Sequence, residues 1–262
     1  MCVFTDEVER VSDTEIYARS REASQLLVYS MQYAARRELA MVLPIPVVPG
    51  CGDDALRFVS LLECPDFFDH LRAGFPTRYE GDIGGVLSAG AVMDEAPTLV
   101  VHDVGAFEAS FVPRPGDFAR LDERFRLPVQ IWLELKHYAD WGFAVFKLKP
   151  TELARVHPMA FEFPTRDPGR LFFPTLHLHD RRLEASAEFD HVLYCQASPA
   201  QNWHLEQWED SHAPASQFVH CDDGARLVDL EFSCWRAPLE GRLENRDTWV
   251  GAGDVLPVPP GR

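Results

Sequence analysis

The apolar residues of this chain come in short runs. No uninterrupted apolar stretch approaches the roughly 20 residues that a membrane helix needs, so no membrane-spanning helix is expected in this sequence. Within the first fifty residues TEIYARS, QLLVYSMQY and ELAMVLPIPVV follow one another, separated by polar REAS and AARR. Runs of this length bounded by polar residues read as strands, here an antiparallel meander. The prolines of LPIPVVPG remove backbone donors and block a helical turn, which leaves that segment extended.

Helical spacing follows in DDALRFVSLL and PDFFDHLRAGF. The stretch 74–97 then carries five glycines and no sustained apolar period, which reads as a loop or linker. Its GDIGG portion lacks the Lys-Ser/Thr of a phosphate-binding loop. Beyond it, VGAFEASFVP reads as a strand, PGDFARLDERF and PVQIWLELKHYADW as helices, and WGFAVFKLKP, HPMAFEFP, RLFFPTLHLHD and HVLYCQA as further strands. Residues after Cys195 are polar and rich in tryptophan and histidine, ARLVDLEFSCWRA reads as a final strand, and GDVLPVPPGR as an extended tail. The expected class is α+β: antiparallel sheets with a few helices, in a single domain over 1–262. Two sequential halves, 1–73 and 98–240, would pack together, joined by 74–97.

Charge and cysteine usage narrow the setting. The 25 Lys plus Arg against 41 Asp plus Glu give a net charge of −16, which repels phosphate backbones, so nucleic acid is not an expected partner. The opening MCVFTDEVER lacks the basic and apolar regions of a secretory signal, so the expected location is cytoplasmic, with no membrane partner. The six cysteines, at 2, 51, 64, 195, 221 and 234, form no CxxC pair; reduced thiols packed as small hydrophobes are expected.

Several short motifs recur in order: a cysteine near the start, IYAR, QLLVYSMQY, AMVLPIPV, VGAFEASFV, FRLP, YADWGFAVFKLKP, PMAFEFP and LFFPTLHLHD. Over roughly residues 2–195 this order resembles an uncharacterised bacterial family known only as a domain of unknown function. The resemblance implies a shared α+β fold and brings no reaction with it.

Chemistry concentrates in TLHLHDRRLEASAEFDHVLYC, which holds three of the ten histidines and one of the six cysteines. A strand period of two puts His177 and His179 on one face and Leu176 and Leu178 on the other, and it puts His191 and Cys195 on one face. With RRLEASAEFD as a hairpin loop, His177, His179, His191 and Cys195 would surround one metal ion. Imidazole and thiolate donors suit zinc, copper or iron. An open coordination position there would activate water or dioxygen. Glu184 is a candidate ligand or proton-transfer group, and the spacing from His177 resembles the first metal motif of cupins, with Leu171 where that motif has glycine. An ordinary amphipathic strand with outward histidines has the same pattern.

Two other readings stand beside the metal site. Removal of Met1 would leave Cys2 with an α-amine beside its thiol, the arrangement of N-terminal nucleophile hydrolases, and Cys2 is therefore a candidate catalytic residue. The acidic surface, with Trp203 and Trp208 set among polar residues, equally fits a non-enzymatic module that binds a protein, a peptide or a small molecule. No Gly-x-Ser-x-Gly elbow, HExxH helix or dinucleotide fingerprint is present.

Overall fold

Most of the apolar runs become strands, and many are buried on both faces. In this computed structural model the described residues are 2–75, 102–103, 107–127, 129–178, 183–197, 205, 207–221, 224–251 and 256. The glycine-rich stretch 74–97 lies outside them from residue 76 on, as does Trp203. From the N-terminus the strands are β1 (Cys2–Phe4), β2 (Arg10–Arg21), β3 (Ser24–Ala35), β4 (Leu39–Ile45), β5 (Arg57–Val59), β6 (His102–Asp103), β7 (Glu108–Val112), β8 (Gly142–Leu148), β9 (Thr151–Arg155), β10 (Met159–Pro164), β11 (Leu171–Phe173), β12 (His177–Leu178), β13 (Ser186–Gln196), β14 (Glu209–Asp210), β15 (Trp235–Glu244) and β16 (Thr248–Val250). The α-helices are short: α1 (Phe67–Ala73), α2 (Val129–Glu134) and α3 (Gly224–Leu227). The fold is sheet-dominated, and the helical share of the expected α+β class is small. None of the described helices is long and apolar enough to cross a membrane.

The strands form two large sheets. One runs β12-β1-β4-β8-β7-β6; the other runs β14-β15-β13-β2-β3-β10-β5, with β9 also on β3. Each sheet draws strands from both sides of 74–97. The expected opening meander is therefore half right: β2 and β3 pair as a hairpin, but β4 crosses to the other sheet and pairs β1 and β8.

Face-to-face packing explains why simple alternation is lost. In β3 the odd positions Leu27, Tyr29 and Met31 enter one core, which also takes Val42, Phe111 and Phe146 from the six-stranded sheet. The rings of Phe146 and Phe161 meet across the two sheets with centroids 5.9 Å apart. The even positions Leu26 and Val28 enter a second core with Tyr17, Tyr194, Phe67, Phe68, Leu71, Phe218 and Val219. The larger sheet is thus covered on both faces, by the other sheet on one side and by α1 with Ala215, Phe218, Val219, Leu227 and Val228 on the other. Each fully buried aromatic or leucine in these layers contributes about 1.5–3 kcal/mol of transfer free energy.

Several local expectations change in this context. DDALRFVSLL is not a helix; Arg57–Val59 pairs with β10, with Phe58 opposite Phe161 and Arg57 2.5 Å from Glu162. Tertiary pairing outweighs its weak helical spacing. PDFFDHLRAGF does contain α1, whereas PGDFARLDERF forms two 3-10 turns, Pro115–Arg120 and Glu123–Phe125. In ARLVDLEFSCWRA the strand begins only at Trp235, after α3 and a turn, and it is not the last, since β16 follows it. Cys51, Cys195 and Cys234 are free thiols as expected, but Cys64 and Cys221 are joined as a disulfide.

Candidate functional site

The histidine-rich stretch does not form a hairpin. β12 runs parallel to β1 at the edge of the six-stranded sheet, with Cys2 opposite His177 and Val3 opposite Leu178. β13 lies in the other sheet between β2 and β15, with His191 opposite Thr14 and Leu239. The two histidines meet across the sheets: Nε2 of His177 stands 3.1 Å from Nε2 of His191. Both are buried, at 8% and 1% exposure. His177 is therefore not an outward histidine on an amphipathic strand, and Leu176 and Leu178 beside it are buried as well.

The short β12 strand is held from outside its own sheet. Asn245, just past β15, accepts from His177 N at 2.7 Å and donates to His177 O at 2.7 Å and Glu184 O at 2.9 Å. Its amide supplies one acceptor and two donor protons, so it pairs β12 much as a neighbouring strand would. Upstream, Asp247 accepts from Thr175 N and Leu176 N, each at 3.0 Å, and from the Tyr138 hydroxyl. Burial pushes the Asp247 carboxyl above its ordinary range, against these hydrogen bonds. Thr175 Oγ1 also donates to Arg246 O at 2.9 Å.

A bulge in β2 completes the surroundings of His191. The β2–β3 register shifts between Ser12 and Glu15, and Asp13 takes a left-handed backbone, φ 51°. This turns Asp13 N toward Asp190, whose Oδ2 accepts at 2.9 Å. The His191 Nδ1 lies 3.4 Å from Asp190 Oδ1, without the alignment of a hydrogen bond. Val11, Thr14, His177, Glu188, Phe189, Asp190 and His191 line a cavity of about 180 Å³. Among the described residues Thr14 Oγ1 and His191 Nδ1 are buried without a hydrogen-bond partner.

Burial dominates the electrostatics. It pushes the His191 pKa down to about 4, opposed by the Asp190 carboxylate, so at neutral pH the ring is uncharged. Asp190 itself is held below its usual value, because the His191 ring and the Asp13 N–H outweigh the cost of its partial burial. The 3.1 Å Nε2···Nε2 contact needs one ring nitrogen to donate and the other to accept. A His177 Nε2–H donor leaves the His191 proton on Nδ1, facing Asp190. The arrangement is a buried imidazole pair joined through its two Nε2 atoms.

The other expected site residues are distributed differently. Cys195 is on the same strand as His191 but is fully buried; desolvation, with Cys234 nearby, pushes its thiol well above the ordinary range. Glu184 is exposed, and its carbonyl accepts from Asn245. His179 lies outside the described residues, and of Cys2 the backbone alone is described. A structural zinc site takes four protein donors, and the strands bring together two, His177 and His191. Trp208 is in the core, its ring 6.0 Å from that of Phe173. Asn245, Asp190 and Thr14 were not signalled by any motif; their roles come from pairings across distant sequence.

No protein-family model and no curated protein matches the sequence. Among solved structures, baculovirus P35 superimposes over 96% of this chain and 99% of its own, with a TM-score of 0.50 and 12% identity. A mutated baculovirus P35 after caspase cleavage covers 92% of this chain and 100% of its own, with a TM-score of 0.42 and 11% identity. P35 in a caspase-8/P35 complex covers 92% of this chain and 96% of its own, at 0.41 and 12%. At this identity the likeness is one of fold: from end to end the chain is built like baculovirus P35.

Proposed function

We propose that this chain is a protein-interaction module whose partner is a cysteine protease of the caspase class. The end-to-end likeness of its fold to baculovirus P35 carries the reading, since P35 is known in complex with caspase-8 and in a form cleaved by caspase. Two stacked sheets with both faces of the larger one covered make a rigid scaffold of the kind on which binding segments are displayed. The acidic net charge of −16 favours a partner with a basic approach surface. The test is incubation of the purified chain with active caspase-8, followed by size exclusion and intact mass. The expected result is a stable complex or cleavage of the chain into fragments. An intact, unbound chain beside a fully active protease would refute the reading.

A second reading, a thiol nucleophile at Cys2, is favoured by one placement. Cys2 sits in β1 directly opposite His177 in register, so the N-terminal strand borders the imidazole pair. Intact-mass measurement tests it: retention of Met1 would block the terminal amine and end that reading.

A further inference from the structure

We propose that Cys64, His70 and Cys221 form a transition-metal site in the reduced protein, with His220 as the fourth donor. The proposal is independent of the protease reading. Cys64 closes a turn just before α1, with its N–H bonded to Leu61 O at 3.0 Å. His70 lies on α1, and Cys221 follows the 3-10 turn Ala215–Gln217. The ligand atoms of Cys64, His70 and Cys221 all lie within 4.8 Å of one another; among the described residues no other His, Cys, Asp or Glu trio meets that spacing. Donors on one tetrahedral zinc, at about 2.0–2.3 Å from the ion, stand roughly 3.3–3.8 Å apart. Small side-chain rotations reach that arrangement once the sulfurs part.

Two further observations point to a ligand. The His70 Nδ1 is buried and makes no hydrogen bond among the described residues, which is costly for a polar atom unless something binds it. His220, adjacent to Cys221, is exposed, and its ring centroid lies 6.1 Å from that of His70. Its side chain therefore has room to turn toward the same point. The frame is firm: α1 packs through Phe67, Phe68 and Leu71 into the same core as Ala215, Phe218 and Val219. Gly74 at the end of α1 lies so close to the Phe218 ring that a Cβ there would come within 2.8 Å of it. The donors thus sit on two elements already packed together.

The disulfide and the metal are alternative occupants of the same two sulfurs. A dithiol reductant delivers two electrons and two protons to the Cys64–Cys221 bond, giving two thiols and its own disulfide. Zn²⁺ then displaces one proton from each thiol and binds the two thiolates with neutral imidazole. A reducing compartment, where glutathione and thioredoxin keep thiols reduced, would favour the metal form.

The test uses the full chain without an affinity tag, reduced anaerobically and titrated with zinc against a chromophoric chelator. Reduced wild type is expected to bind one equivalent and the oxidised protein none. Cys64→Ser with Cys221→Ser should abolish binding, and His70→Ala should weaken it at least tenfold. Cobalt(II) in place of zinc should give a sulfur-to-metal charge-transfer band in wild type that the double serine variant lacks. The proposal falls if reduced protein with an unchanged circular dichroism spectrum takes up no zinc. It also falls if zinc binding survives His70→Ala but is lost in His177→Ala with His191→Ala. Should the double serine variant fail to fold, His70→Ala, which retains both cysteines, decides the matter.

Discussion

Protonation of His191 should destabilise this protein before most of its carboxylates titrate. The ring is fully buried between the sheets, and burial brings its pKa from 6.5 down to about 4. Above 6.5 the ring is neutral in both folded and unfolded chains and contributes no pH dependence. Below 6.5 the unfolded chain takes up a proton that the folded one refuses, so stability falls until the pH reaches the folded value near 4. That gap, at about 1.4 kcal/mol for each pH interval of one, amounts to a loss of about 3 kcal/mol. Burial also lowers the His157 pKa, which works in the same direction. The raised Asp247 carboxyl works the opposite way, gaining a proton more readily when folded. Both are common to wild type and variant, so the comparison that isolates His191 is wild type against His191→Gln. Urea unfolding followed by tryptophan fluorescence across the window from 6.5 to 4 should show wild type losing about 3 kcal/mol more than the variant. Parallel loss in the two proteins would refute the burial argument.

Three further substitutions test the framework. Asn245→Ala removes three hydrogen bonds and strands the N–H and C=O of His177; urea unfolding should show a loss of about 2–4 kcal/mol. Glu15→Ala removes the carboxylate that receives Arg72 from α1 and Arg155 from β9. Because those arginine side chains are 39% and 40% exposed and turn to water, the loss by the same assay should stay near ~2 kcal/mol, below the 3–5 of a fully buried pair. Gly142→Ala places a Cβ 2.6 Å from the buried Phe111 ring and 3.0 Å from Val47; a thermal scan should show destabilisation of about 1–3 kcal/mol.

Strand existence was largely legible in the sequence, and strand partnership was not. QLLVYSMQY and FAVFKL announce strands because runs rich in β-branched and aromatic side chains fit a pleated surface. Their continuous apolar character already reflects burial on both faces, since Leu26 and Leu27 enter different cores. Nothing local told β4 to leave β3 and join β8, because that choice is made by contacts about a hundred residues apart. Helix content was overread for the same reason: the apolar spacing of DDALRFVSLL served pairing with Phe161 and not an amphipathic face.

The site shows the same division more sharply. Parity within a strand does place His191 and Cys195 on one face, but parity says nothing about the layer opposite. His177 reaches His191 from the other sheet, and a hairpin would have joined them in one sheet by a different route. β12 has only two residues and stands at the sheet edge, where an unpaired backbone invites other chains. Asn245 answers that exposure with an amide bonded to both the N–H and the C=O of His177, and the same contacts fix the imidazole opposite His191. Edge protection and site geometry therefore rest on one side chain. Asn245→Asp separates them from simple truncation: it keeps the acceptor for His177 N but sets a carboxylate against two carbonyl oxygens. It should therefore displace β12 more than alanine does, a difference that the ring proton signals of His177 and His191 would register directly.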